Sequence, residues 1–151
     1  MSLVTEELKA KAEVYYGDNV CREKFSLLLA EKGLPGGLLS MQDIEECGHV
    51  KELGFVWLKL GKKIQSKFDN ILVSYDSLVT AYVEPNKIRC LTGVKAKEYL
   101  VWFNVNEIHA KGGSSVTFKS FVGLSMSFPL SFFQAEKSQG KEDQIVINKR
   151  K

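Results

Sequence analysis

Proline, cysteine and histidine are scarce in this chain of 151 residues: three, three and two respectively. Cys21, Cys47 and Cys90 stand far apart with no Cys-x-x-Cys pair, which argues against a zinc site or a redox dithiol and leaves an odd set of free thiols. His49 and His109 have no matching cluster of cysteines or carboxylates around them, so no metal or other cofactor is expected. Gly123-Leu124-Ser125-Met126-Ser127 lacks the second glycine of a serine-hydrolase elbow and runs into Phe128-Pro129, not into a helix. The net charge of +3 and pI near 8.7 fall short of the strong, clustered excess of nucleic-acid binders, and no nucleic-acid partner is expected. The longest uncharged stretch, 120–135, is too short for a membrane span and carries Pro129 and several serines, so a transmembrane helix is rejected. Acidic residues follow Met-Ser-Leu-Val-Thr where a secretory leader needs a basic and then an apolar run. With the free thiols, this sets the expected location in the reducing cytoplasm.

Hydrophobic residues make up 44% of the chain and charged ones 26%, proportions that describe a soluble globular protein. One domain is expected over 1–136, with helices within 4–32 and a β region over 38–133, followed by a polar tail at 137–151 in which Ile145–Ile147 offers a short edge strand. Val4, Leu8, Ala12 and Tyr15 recur at helical spacing, with Thr5 as cap and Gly17 as stop. Asp18 or Asn19 caps a second amphipathic helix whose Cys21, Phe25, Leu28 and Leu29 share a face, and Gly33 and Pro35 end it.

After Leu38 the apolar period changes from helical to two, and almost no helix is expected there. Strands are predicted at 54–60, 64–68, 72–75, 78–84, 87–92, 99–108 and 116–122, with Gly61-Lys62-Lys63 and Glu84-Pro85-Asn86-Lys87 as hairpin turns and Gly112-Gly113 in a loop. Phe55–Leu60 is apolar on both faces, which requires a cover on each side. In 99–108, Val101, Phe103 and Val105 share the core face, and Trp102, Asn104 and Asn106 the other. The fold class is therefore mainly β, an antiparallel barrel or strongly curled sheet with two N-terminal amphipathic helices.

Leu34-Pro35-Gly36-Gly37-Leu38-Leu39, Gly54-Phe55-Val56-Trp57-Leu58-Lys59, Leu91-Thr92-Gly93-Val94-Lys95-Ala96-Lys97-Glu98 and Gly123-Leu124-Ser125 with Ser127-Phe128-Pro129 resemble, in this order, the plant domain-of-unknown-function family 538. The likeness covers roughly 27–133. Ser40 stands where the family pattern usually has a second proline, and the segment at Asp69-Asn70-Ile71 is shortened; both departures concern loop shape. The resemblance implies a small β-barrel-like domain with helices at its N-terminal side. Such proteins have been compared with bactericidal/permeability-increasing lipid-binding proteins, and an esterase activity on chlorophyll has been proposed for the family. It assigns no site residues.

Cys47-Gly48-His49 puts a thiol and an imidazole on one face of a strand, the arrangement of a thiolate–imidazole pair, but no orienting third group is nearby; a buried thiol beside a histidine is the simpler reading. Lys59, Lys62, Lys63 and Lys67, joined by Arg22, Lys24 or the tail Lys149-Arg150-Lys151, would give at most weak peripheral membrane contact, and a lysine-protected hairpin edge accounts for them more simply. Aromatic residues on several strands are the richer set. A curled sheet brings Trp57, Tyr75, Tyr82, Trp102, Phe118 and Phe128 towards its interior, either as packed core or as the lining of a pocket for one apolar ligand. The leading expectation is non-enzymatic binding of a hydrophobic or amphipathic small molecule, lipid among the classes that fit. A hydrolase acting on an ester of an apolar substrate and a protein-interaction module are the alternatives.

Overall fold

In a computed structural model, residues 4–36, 38, 42–68, 71–98, 100–111 and 114–129 are described. The expectations placed on Gly37, Leu39, Ser40, Asp69-Asn70, Gly112-Gly113 and the segment after 129, including the edge strand at Ile145–Ile147, lie outside the described residues.

Thr5 caps α1 (Glu6–Lys11), its Oγ1 accepting from the Leu8 amide at 3.2 Å, with Glu6 and Glu7 in the first turn and Lys9 and Lys11 in the last. The helix is shorter than its spacing predicts. Glu13–Tyr16 is a strand, β1, and not a further helical turn. Val14 and Tyr15 pair with Gly48 and Cys47 on β2 (Ile44–Val50), and the Gly17 amide extends the ladder to the Glu45 carbonyl at 3.1 Å. Pairing with a buried strand outweighs the helical preference of a four-residue segment that already carries a valine and two tyrosines.

Gly17, at φ 97°, precedes α2 (Asp18–Glu31) as its N-cap residue, in place of the predicted Asp18 or Asn19. The Asp18 carboxylate instead accepts from the Ile44 amide at 3.1 Å, tying the start of α2 to the start of β2. At the other end Gly33 takes φ 79° and the Leu34 amide returns to the Leu29 carbonyl at 2.8 Å, the left-handed stop that the sequence indicates. The Asn86 amide bonds the Lys32 carbonyl at 2.7 Å, so α2 reaches from β2 to the far turn of the central hairpin.

That hairpin, β5 (Ile71–Glu84) and β6 (Lys87–Glu98), is the spine of the fold. Pro85 and Asn86 form its turn; the ring fixes a negative φ and Asn86 takes φ 61°, the sign pattern of a type II turn. Two shorter strands follow one another along each outer edge. β3 (Phe55–Leu60) and β4 (Ile64–Phe68) both pair with β5, so Gly61-Lys62-Lys63 is a step along one edge and not a hairpin turn. β7 (Val101–Asn104) and β8 (Glu107–Lys111) both pair with β6, which divides the strand predicted over 99–108. Asn106 holds that step, donating from Nδ2 to the Leu91 carbonyl and accepting at Oδ1 from the Phe121 amide. β9 (Ser115–Lys119) and β10 (Ser125–Pro129) complete the sheet.

All ten strands form one antiparallel sheet, and its pairing runs from β1 to β10. Among the described residues no pairing joins those two edges, so a closed barrel is replaced by an open sheet. No helix occurs between Val50 and Pro129 among the described residues, and none of the described helices is long and apolar enough to cross a membrane.

The main core lies on one face, where Phe25, Leu28 and Leu29 of α2 join Val56, Leu58, Tyr75, Ile88, Leu91, Phe103 and Phe118. A smaller cluster of Val50, Phe55 and Trp57 lies on the other face beneath Val4 and Leu8. β3 is thus covered on both sides, as its continuous apolar pattern requires, and α1 supplies the second cover.

Candidate functional site

β2 alternates its side chains between two environments. Cys47 and His49 point to the α2 face, while Glu46 and Val50 flank Gly48 on the α1 face. α2 crosses the first face close enough to bury Phe25 and Leu28 against Cys47 and Val56, and between helix and sheet a groove of about 680 Å³ remains. Its floor is apolar: Phe25, Leu28, Cys47 and Val56. Its rim is charged: Glu13 pairs with Lys51 at 3.5 Å, and the Lys24 ammonium stands 5.1 Å from the centroid of the Tyr15 ring.

Beneath the charged rim, burial favours the neutral forms of the two thiols and the imidazole. Burial pushes the Cys47 thiol up to about 12, with its hydrogen bond to the Cys21 thiol adding to the effect. Burial likewise raises Cys21, whose Sγ donates to the Tyr15 carbonyl at 3.4 Å. Burial lowers His49, so its imidazole carries no charge at neutral pH. A protonated thiol beside a neutral imidazole is not an activated nucleophile. What the groove can do chemically is exclude water from an apolar group while offering one neutral imidazole for a hydrogen bond.

On the opposite face a cavity of about 440 Å³ lies between α1 and β3, lined in part by Val4, Lys9, Glu46, Trp57 and Leu78. The Glu46 carboxylate accepts from the Trp57 indole at 2.8 Å and pairs with Lys9 at 3.5 Å, which makes this cavity the more polar of the two.

The six aromatics singled out in the sequence fall into three environments. Tyr75, Phe118 and Phe128 belong to the main core, the two phenylalanines meeting edge to face at 5.3 Å. Trp57 and Tyr82 belong to the α1-side cluster, each with its ring tilted against that of Phe55. Trp102 lies outside both, 39% exposed, with the Lys97 ammonium 5.6 Å from its ring. The structure brings none of the six to the α2 groove and only Trp57 to the other cavity. His109 sits on β8, bonded to Glu107 at 2.9 Å, a contact that holds the Glu107 carboxyl below the usual carboxylate range. Among the described residues no group of His, Cys, Asp and Glu has the arrangement of a metal site. Tyr15, Phe25, Leu28 and Val56 are among the groove residues that the sequence did not mark as a site. The apolar face of α2 was visible in the spacing, but the strand at Glu13–Tyr16 that walls the groove was not.

An open antiparallel sheet with a single long helix laid across one end, leaving an apolar groove beneath it, defines the class of protein. The chain belongs to the family described as "Protein of unknown function, DUF538", whose model matches residues 25–134, from the middle of α2 to just past β10. Comparison with curated proteins and with solved structures returns no match.

Proposed function

We propose that the groove between α2 and β1–β2–β3 binds a hydrophobic or amphipathic small molecule without turning it over, lipid being the class that fits first. The carrying observation is the groove itself: about 680 Å³, within the range of small-molecule sites, with an apolar floor and few polar groups. An alkyl chain would lie on Phe25, Leu28 and Val56, and a polar head would meet the imidazole of His49 and the rim cations Lys24 and Lys51. A location in the reducing cytoplasm belongs to the same proposal, and the three free cysteines support it. The raised thiol of Cys47 speaks against a cysteine hydrolase in the same groove.

Leu27 provides the test, because it lines the groove yet is 60% exposed, so that changing it spares the core. Titration of the protein with oleate by calorimetry is expected to give saturable binding, and Leu27→Glu is expected to weaken it at least tenfold with little change in melting temperature. Absence of saturable binding, or equal binding by the variant, would contradict the proposal.

A further inference from the structure

The sheet face opposite the main core is only partly covered. α1 shields the portion formed by β2, β3 and the second half of β5. Over β4, the first half of β5, the second half of β6 and β7, the residues of that face are exposed or half-buried. There the strand register aligns Lys67, Leu72, Lys97 and Trp102 in one row across four strands, and Lys95 stands on the same face two residues from Lys97. Buried Val73, Ala96 and Phe103, from the alternate positions, point to the core side and confirm the direction of the row. Lys67, Lys95 and Lys97 make no ion pair among the described residues, whereas Lys63 at the margin is matched by Asp76 at 3.8 Å. In the turn before β7, Leu100 is 88% exposed.

Lysines without an ion pair, an exposed tryptophan on the same face and an exposed leucine in the adjoining turn form a specific combination. The lysines supply attraction to anionic headgroups, tryptophan is at home at headgroup depth, and the leucine gains from the acyl boundary. Single-stranded nucleic acid would meet the same lysines but only one stacking ring, and would leave Leu100 in water. We propose that this face docks peripherally on a membrane that carries anionic phospholipid. The surface and the α2 groove lie on opposite faces of the sheet, and neither inference depends on the other.

Co-sedimentation with vesicles provides the test, using phosphatidylcholine alone and phosphatidylcholine with phosphatidylserine. The protein is expected to partition onto the anionic vesicles only, less so as salt is raised, with a blue shift of tryptophan emission that disappears in Trp102→Phe. With each lysine contributing roughly fivefold, Lys67→Gln/Lys95→Gln/Lys97→Gln together should lower the partition coefficient about 100-fold. Lys97→Gln alone should lower it roughly fivefold and serves as the control should the triple variant fold poorly. Leu100→Ser should weaken binding while keeping its salt dependence. Equal binding to neutral vesicles, no loss in the lysine variants, or tighter binding to a short single-stranded RNA than to anionic vesicles would overturn the proposal.

Discussion

The indole of Trp57 occupies the space where Gly48 would carry a side chain. The two residues face each other across the β2–β3 ladder, and a Cβ placed on Gly48 would come within 2.2 Å of the Trp57 ring. Glycine is required here for space and not for its backbone freedom. The bare position lets the ring lie flat on β2, where its N–H reaches Glu46 and its faces are closed off by Phe55 and the residues of α1. Gly48→Ala is therefore expected to destabilise by about 1–3 kcal/mol through overpacking, and Trp57→Ala by about 3–5 kcal/mol through the cavity it leaves. Urea denaturation followed by far-UV circular dichroism measures both. A neutral Gly48→Ala would contradict the close packing.

His49 gives the stability a defined pH dependence. Burial lowers its folded value below the usual 6.5, so the unfolded chain binds the proton more readily. Its contribution is fully present above about 6.5, is lost as pH falls from there through the folded value, and changes no further below that. Melting temperatures of the native protein should fall more steeply from pH 7 to 5 than those of His49→Gln. Identical slopes would remove His49 from the account.

The three thiols should separate by reactivity. Cys21 and Cys47 are buried with raised values, and Cys90 is exposed. Iodoacetamide at neutral pH is expected to modify Cys90 alone in the native protein and all three after denaturation, as mass spectrometry of peptides would show. Rapid native labelling of Cys47 would mean that α2 lifts from β2.

The features most legible in the sequence were those in which local chemistry and tertiary structure agree. Pro85-Asn86 marks a turn by its backbone preferences alone, the two-sided apolar run of β3 demands two covers, and Cys21, Phe25, Leu28 and Leu29 fix the buried face of α2. What was hidden depends on long-range pairing. Tyr15 continues a helical spacing that begins at Val4, and only its pairing with Cys47 makes it a strand residue. Strand periodicity likewise shows that Phe103 and Val105 face the core, both being buried, but it does not reveal that Asn106 steps the chain from one level of β6 to the next. The groove inherits this limit. Its floor was visible on α2 and in Cys47-Gly48-His49, while the wall at Glu13–Tyr15 depends on a strand whose sequence does not announce it. The aromatic residues drew attention because of their size, yet register and strand parity distribute them over two faces.

Backbone strain concentrates where the central hairpin shifts register. Between Tyr75 and Tyr82 its pairing with β6 is irregular, and across from that stretch Cys90 takes φ 53° and Gly93 φ 86°. A Cβ on Gly93 would stand 2.4 Å from the Leu78 carbonyl oxygen. Gly93→Ala is thus expected to cost about 2–3 kcal/mol from clash and left-handed strain combined, whereas Cys90→Gly should stabilise by about 1 kcal/mol by relieving a left-handed non-glycine residue. Thermal unfolding of the two variants should move in opposite directions. A shared direction would contradict the assignment of strain to this bulge.

Occupancy of the α2 groove is the central claim, and the most direct measurement is an isotope-filtered NOE experiment on the protein bound to oleate. Cross-peaks are expected between the alkyl protons and the side chains of Leu28, Phe25 and Val56, together with a shift of the His49 ring protons. Cross-peaks confined to Leu78 and Trp57 would put the ligand in the α1-side cavity, and absence of cross-peaks from either set would contradict a ligand-binding groove.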